Sequence, residues 1–512
     1  MNITLISTNT FPSEQGLRTI SGCLKQAGHK VKIIFLTLSE NYKELYSKEI
    51  LEQLKQATKD TQLVGLSSMG STANRASQII DMFQNNNVPV IWGGPHPTFF
   101  PQDCFKRCNI ICVGEGEEAF VELAEKIQKN KDTAKIRNLW IRVNNKEYKN
   151  PVRPLIRNLD KLPHPDYEIQ DHLILEKNKL VPFEEKHLWG MIFFQTERGC
   201  SQACTYCTNH IFKELYKNSP VLRTHSVDYV IEELVRLKKK FPSIGVFDLR
   251  DETFIIRDIE WIIDFSKKYK EKLGIRFKCL ADPASMSNAG ITEEKLRLLV
   301  EAGLTDIIVG IQSGSDRLNF NVYKRYISAD QVLKASQSIN KFKNLAVMYD
   351  MMTTNPYETK EDILASINLL LKMPSPYYLS VNNLVFFEGT KLYEQAIKDG
   401  FVKENEKTSD INYWDRWKHI KSKRKNAYLN LVLNLMRGHV TAKRFGIMPR
   451  FLLKLLLKEK IVNFNLKHYA PTFLFGNIIG VADFTRENIV KPLYKVMPVN
   501  FKLWYDKIRY KA

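Results

Sequence analysis

The chain has 512 residues, 44% hydrophobic and 26% charged, a composition of two or three globular domains that excludes a largely disordered or fibrous protein. No apolar run approaches the ~18 residues that cross a bilayer, and the start MNITLISTNTFPSEQ has neither the basic head nor the apolar stretch of a secretory signal. The net charge of +20 is uneven, residues 411–512 holding 21 Lys and Arg against 5 Asp and Glu, which predicts a partner of opposite sign rather than a particular fold.

Over residues 1–150, the runs Asn2–Ser7, Val31–Phe35, Val64–Ser68, Val88–Gly94 and Ile110–Gly116 read as strands. Helical patterns such as Gly16–Gln26 separate them. Continuous apolar strands alternating with helices predict a Rossmann-like, flavodoxin-like parallel sheet covered on both faces. Three of the runs end in small residues: Gly65-Leu-Ser-Ser-Met-Gly70, Gly93-Gly-Pro-His96 and Gly114-Glu-Gly116. Ligands of open α/β sheets bind beyond the carboxyl ends of the strands, so these loops are expected to share one rim. His29 reads as an exposed turn residue.

A hairpin with Asn144-Asn145 at its turn follows, and then four prolines between Pro151 and Pro165. That composition predicts a stiff linker, placed at 151–188. Strand–helix alternation resumes over 189–400, with strands expected near 191–196, 244–248, 275–280, 306–310, 344–350 and 378–384. Six such units suggest a partial (β/α)6 TIM-type barrel with its chemistry at the carboxyl ends of the strands. Residues 401–512 read as a basic helical C-terminal domain.

The eight cysteines are too sparse for a disulfide scaffold. Three of them lie together in MIFFQTERGCSQACTYCTN, residues 191–209, just beyond the first barrel strand: Cys200, Cys204 and Cys207. Three thiolates on one loop suit three irons of a cubane cluster, leaving the fourth iron open to a small molecule. With His210 they would also make a Cys3His zinc set, although structural zinc sites usually split their ligands into two distant pairs. Cys104, Cys108 and Cys112 read as core residues.

Cys-x3-Cys-x2-Cys with Tyr206 before the last cysteine resembles the signature of the radical S-adenosylmethionine (radical SAM) superfamily. The segments IWGGPHPT, VGEGEEAF, VGIQSGSDR and NPYETKED add to the likeness, and the first domain resembles the cobalamin (B12)-binding domain fused to many members. Similar proteins include cobalamin-dependent methyltransferases and the anaerobic magnesium-protoporphyrin IX monomethyl ester cyclase. The resemblance implies a [4Fe-4S] cluster on Cys200, Cys204 and Cys207, whose open iron takes SAM for reductive cleavage. It implies SAM contacts from Asp251 and Glu252 after the second barrel strand and from Gly310, Gln312 and Ser313 after the fourth. Cobalamin would lie on Ser67, Ser68, Met69, Gly93, Gly94, His96, Gly114, Glu115 and Gly116. The implied reaction is methyl transfer to an unactivated centre of a small or lipid-like substrate, with flavodoxin or ferredoxin as reductant. Another radical reaction, an oxidative cyclisation or a rearrangement, and a zinc- and nucleic-acid-binding protein stand as alternatives.

Lys421–Lys425 and Pro449–Lys460 pair cationic with apolar residues, and Leu452, Leu453, Leu455, Leu456 and Leu457 can cover one helical face. A helix packed on the barrel explains this, and so does peripheral contact with anionic lipid. No RNA-binding module is visible, and the expected location is cytoplasmic.

Overall fold

The computed structural model describes residues 1–12, 14–38, 44–217, 219–403, 426–446 and 448–467. They form two compact units. The first comprises Met1–Asp251, Lys268–Arg276 and the segment beginning at Phe386. The second comprises Glu252–Lys267, Phe277–Val385 and the described residues from 426 onward.

The first unit is built on a nine-stranded sheet. Its parallel strands are β1 (Asn2–Ser7), β2 (Lys30–Phe35), β3 (Leu63–Ser67), β4 (Val90–Gly93) and β5 (Ile110–Cys112). The order is β5-β4-β3-β1-β2, so the winding reverses between β1 and β3. This is the flavodoxin-like order, and its switch point is where such folds open a ligand crevice. β1 is buried from Ile3 to Ser7, as expected of a strand covered on both faces. β6 (Leu139–Val143) and β7 (Lys146–Lys149) form the expected hairpin. Asn144 and Asn145 take the left-handed conformation, with φ of 49° and 59°, that a two-residue hairpin turn requires.

The segment expected as a linker is part of this unit. β8 (Leu173–Glu176) adds in parallel to β2, and β9 (Lys179–Pro182) pairs antiparallel with β8. Arg18 is the anchor. It is fully buried, lies over the rings of Tyr167 and Phe35, and donates through Nη1 to the Asp166 carbonyl at 2.8 Å. His29 is buried, with Nδ1 3.3 Å from the terminal amino group of Met1. The same unit holds the parallel pair β10 (Met191–Phe194) and β13 (Val246–Leu249), and between them in sequence the antiparallel pair β11 (Glu197–Arg198) and β12 (Arg223–Thr224).

In the second unit β14 (Arg276–Ala281), β15 (Leu304–Gln312), β16 (Ala346–Thr353) and β17 (Tyr377–Asn383) run parallel in chain order. Helices Ala289–Ala302, Ala329–Asn340 and Lys360–Lys372 alternate with them. Ser328 with Gln331 and Thr359 with Asp362 form reciprocal N-terminal caps, which fix where two of these helices begin. The C-terminal part is less purely helical than its sequence suggests: β18 (Gly438–Val440) pairs antiparallel with β17 and leads into β19 (Arg444–Phe445) and β20 (Met448–Pro449). The helix after it spans only Arg450–Leu456, and of the expected leucine face only Leu453 is fully buried. Lys421–Lys425 lies outside the described residues. Among the described residues no helix is long and apolar enough to cross a membrane.

Candidate active site

The cysteine loop leaves the sheet at the carboxyl end of β10, through the two residues of β11. Cys204 is buried, and Cys200 and Cys207 are half-buried. The Gln202 N–H points to Cys200 Sγ at 3.4 Å, and the Cys207 N–H donates to the Cys204 carbonyl at 3.1 Å. The approach to the loop is fixed by Asp251, just past β13. Its Oδ1 accepts the N–H groups of Thr196 at 2.6 Å and Glu197 at 3.0 Å, and its Oδ2 accepts the Thr196 hydroxyl at 2.5 Å. Asp251 is buried, whereas Glu252 is exposed.

An ion-pair group braces the same approach. Glu115 Oε1 accepts from Arg198 Nη1 at 3.2 Å and Arg223 Nη2 at 2.7 Å, and its Oε2 accepts from Arg223 Nη1 at 3.1 Å. Arg198 Nη2 reaches Glu117 Oε1 at 2.6 Å. Two carboxylates thus face two guanidiniums, one from each strand of the β11–β12 pair, where Arg198 stands opposite Arg223. Burial alone would raise the Glu115 pKa. The hydrogen bonds and charges of Arg223 and Arg198 outweigh it and leave the carboxyl below its ordinary range. The Glu115 N–H donates to Tyr216 Oη at 3.1 Å, and Tyr216 closes the helix Asn209–Leu215 that follows Cys207.

The predicted rim gathers at the carboxyl ends of β3, β4 and β5. Ser67, Gly93, Gly94, Gly114, Glu115, Gly116 and His96 are half-buried and Met69 is exposed, but Ser68 is buried, its Oγ accepting Trp92 Nε1–H at 2.9 Å. His96 lies between the rings of Trp92 and Phe100. Gly94 has φ of 95°, and a Cβ on it would fall 3.0 Å from both Ser67 Oγ and the Ser68 carbonyl. Thr98 ties two of the rim loops together: its hydroxyl donates to the Gly94 carbonyl at 2.9 Å and accepts the Gly114 N–H at 3.1 Å. The sequence reading named these loops but missed Thr98, Arg198, Arg223 and Tyr216. Only Arg198, next to the Gly199-Cys200 step, carried any local signal.

In the second unit the carboxyl end of β15 breaks regular pairing with β16 between Gly310 and Gln312. Gln312 takes φ of 61° in the left-handed region, a strained backbone for a residue with a side chain. Arg325 Nη2 donates to the Gly310 carbonyl at 2.8 Å. Ser313 is buried, its Oγ accepting the Ser315 N–H at 3.1 Å and lying 3.3 Å from Ser366 Oγ. Asp362 holds this turn from below, accepting the Ser315 hydroxyl at 2.5 Å and Arg317 Nε–H at 3.1 Å.

A family model of the B12 binding domain matches residues 1–124, and one of the radical SAM superfamily matches residues 195–370. The chain carries a B12-binding domain and a radical SAM domain. It is 29% identical over 351 residues to an uncharacterized methyltransferase of Pyrococcus horikoshii, a match covering 67% of this chain and 71% of that protein. It is 24% identical over 454 residues to the cytidylyl-2-hydroxyethylphosphonate methyltransferase of Streptomyces wedmorensis, covering 79% and 81%. Among solved structures, the cobalamin-dependent SAM radical enzyme OxsB with aqua-cobalamin and SAM bound superposes with a TM-score of 0.62 at 16% identity, over 95% of this chain and 75% of that one. That likeness is one of fold.

The radical SAM domain presents a donor set that fits its cluster, three soft thiols on one short loop. The zinc alternative would need His210 as its fourth ligand, and that residue is buried with Nδ1 2.5 Å from the Cys207 carbonyl. Cys104, Cys108 and Cys112 are core residues, and burial pushes the thiols of Cys108 and Cys112 up to about 12. The B12-binding domain fits its cofactor through the backbone: small residues at the switch-point edge of the sheet let a large planar ligand approach closely.

Proposed function

We infer that the protein is a cobalamin-dependent radical SAM methyltransferase acting on a small molecule at an unactivated centre. The observation that carries this is that the B12-domain rim and the cysteine loop belong to one compact unit and are joined directly by Glu115. When bound, the cluster supplies reductive cleavage of SAM and the corrinoid supplies a methyl carrier. Cys200, Cys204 and Cys207 hold the cluster. Asp251 acts behind them, fixing the turn at Thr196 and Glu197. Ser67, Met69, Gly93, Gly94, His96 and the Gly114–Gly116 loop form the corrin-facing rim, with Ser68 supporting it through Trp92. Glu252, Gly310 and Gln312 are assigned to SAM, the exposed Glu252 carboxylate suiting an ammonium, and Ser313 shapes the turn that presents Gln312.

The reading includes a flavodoxin or ferredoxin as electron donor, a cytoplasmic location and no nucleic-acid partner. It also includes peripheral contact with anionic lipid. On the helix Arg450–Leu456, Phe451 is 75% and Leu455 42% exposed, beside the exposed Lys454. Flotation with anionic and neutral vesicles at two salt concentrations tests this, since an electrostatic share of binding weakens in salt.

The main test is anaerobic turnover of reconstituted protein supplied with hydroxocobalamin and a reductant. S-adenosylhomocysteine together with 5′-deoxyadenosine is the expected pair. 5′-Deoxyadenosine alone would move the assignment to a cyclisation or rearrangement, and neither product would end the radical SAM methyltransferase reading.

A further inference from the structure

The Gly114-Glu115-Gly116 loop does more than edge the first domain. Its backbone faces the rim, tied through Thr98 to the Gly94 carbonyl, while the Glu115 side chain leaves the rim for Arg198 and Arg223. Arg198 is two residues from Cys200. Arg223, its partner across the β11–β12 pair, is also held by the Ile156 carbonyl at 2.9 Å. On the other side of the cysteine loop, Tyr216 takes the Glu115 N–H. One residue therefore grips both the entry to the cysteine loop and the end of the helix that leaves it. The contacts are part-buried, and the paired charges cancel, so a carboxylate that left its arginines would strand them. Rim and cysteine loop are joined without a break from Gly94 to Cys200.

We propose that Glu115 is a positioning residue that makes the cysteine loop sense whether a corrinoid occupies the rim. The proposal rests on the assignment of the rim to cobalamin. A ligand that orders Gly94 and Gly114 also orders Glu115, and through Arg198, Arg223 and Tyr216 it stiffens the segment that carries the cluster ligands. The chain would thereby keep its cluster loop looser until the methyl carrier is in place.

The experiment uses full-length protein, reconstituted anaerobically with iron and sulfide, and hydroxocobalamin as the probe. Backbone hydrogen exchange is followed in peptides spanning residues 197–208, with and without the corrinoid, while bound corrinoid and iron are quantified. In the wild-type protein hydroxocobalamin is expected to slow exchange there by about 5-fold or more, the lower end of ordinary coupling between two sites. In Glu115→Gln, compared at a corrinoid concentration that saturates the variant, this added protection is expected to disappear. Tyr216→Phe, which removes one oxygen and keeps the ring, is expected to lose part of it, and it serves if Glu115→Gln does not fold. Corrinoid binding without added protection in the wild type, or equal protection in the wild type and the variants, overturns the proposal and leaves the cobalamin assignment standing. Failure of the wild type to bind hydroxocobalamin overturns both.

Discussion

The carboxylate of Asp251 closes a ring with Thr196, taking that residue's N–H on one oxygen and its hydroxyl on the other, at 2.6 and 2.5 Å. An acidic residue after the second barrel strand invites assignment to the SAM ammonium. Here its oxygens hold the turn that launches the cysteine loop. Asp251→Asn keeps the shape but removes the charge and turns the oxygen that accepts the Thr196 hydroxyl into an amide N–H₂. The expected cost is about 2–3 kcal/mol, the range for losing a buried hydrogen bond to a charged group. Because the loss falls on the loop entrance, iron bound after reconstitution should drop along with Tm. A variant that loads a full complement of iron at unchanged Tm would refute this role.

The two sets of cysteines should separate by reactivity. Cys108 and Cys112 are buried, with thiols pushed up to about 12, so almost none is thiolate at neutral pH. Cys200 and Cys207 are half-buried on a loop. In oxygen-free apoprotein, iodoacetamide is expected to label Cys200 and Cys207 well before Cys108 and Cys112, as read by peptide mass spectrometry. Reconstitution with iron and sulfide should then protect Cys200, Cys204 and Cys207 together. Labelling of Cys108 at the same rate would contradict the burial.

What could be read from sequence was what is local. The cysteine trio lies within eight residues, the Asn144-Asn145 turn is a two-residue signal, and parallel strands buried on both faces show as apolar runs. What could not be read joins distant positions. Glu115 is 83 residues from Arg198 and 108 from Arg223, and Asp251 is 55 from Thr196. No periodicity reports a charge pair across such separations. β8 and β9 were hidden for another reason: the preceding prolines mark an extended segment, but its pairing with β2 and the Arg18 contact to Asp166 each join positions well over a hundred residues apart.

Acid should loosen the turn after β15 through Asp362. Burial raises its pKa, but Arg317, Ser315 and the Thr359 N–H outweigh this and bring it down to about 2 from an ordinary 3.8. A carboxyl with a depressed native pKa stabilises the fold fully above its unfolded value, and the contribution is lost as pH falls through the native one. The window is therefore about pH 4 down to pH 2. Allowing for the partly exposed Arg317, the contribution is about 1–2 kcal/mol at neutral pH. Asp362→Asn should be less stable than the wild type by that amount at pH 7, with the gap shrinking as pH drops below 4. Urea midpoints of the apoprotein measure it, and a gap independent of pH would count against the assignment.

Gly114 and Tyr216 should behave as a coupled pair. Gly114 has φ of 84°, and a Cβ on it would lie 2.1 Å from Tyr216 Oη, far inside contact. Gly114→Ala therefore carries two costs, about 1–2 kcal/mol for the left-handed backbone and a further one for displacing the tyrosine oxygen. Tyr216→Phe removes that oxygen, so the nearest remaining ring atom is 3.1 Å away, but it deprives the Glu115 N–H of its acceptor. Once Tyr216 is Phe, adding Gly114→Ala should cost the backbone strain and only a small shift of the ring. The double variant is thus expected to be more stable than the sum of the single losses by about 1 kcal/mol or more, beyond the ~0.5 kcal/mol within which independent sites add. A thermodynamic cycle on unfolding midpoints decides it. Strict additivity would mean that the tyrosine swings aside at no cost and that the contact between rim loop and cysteine-loop helix is not the tight one described.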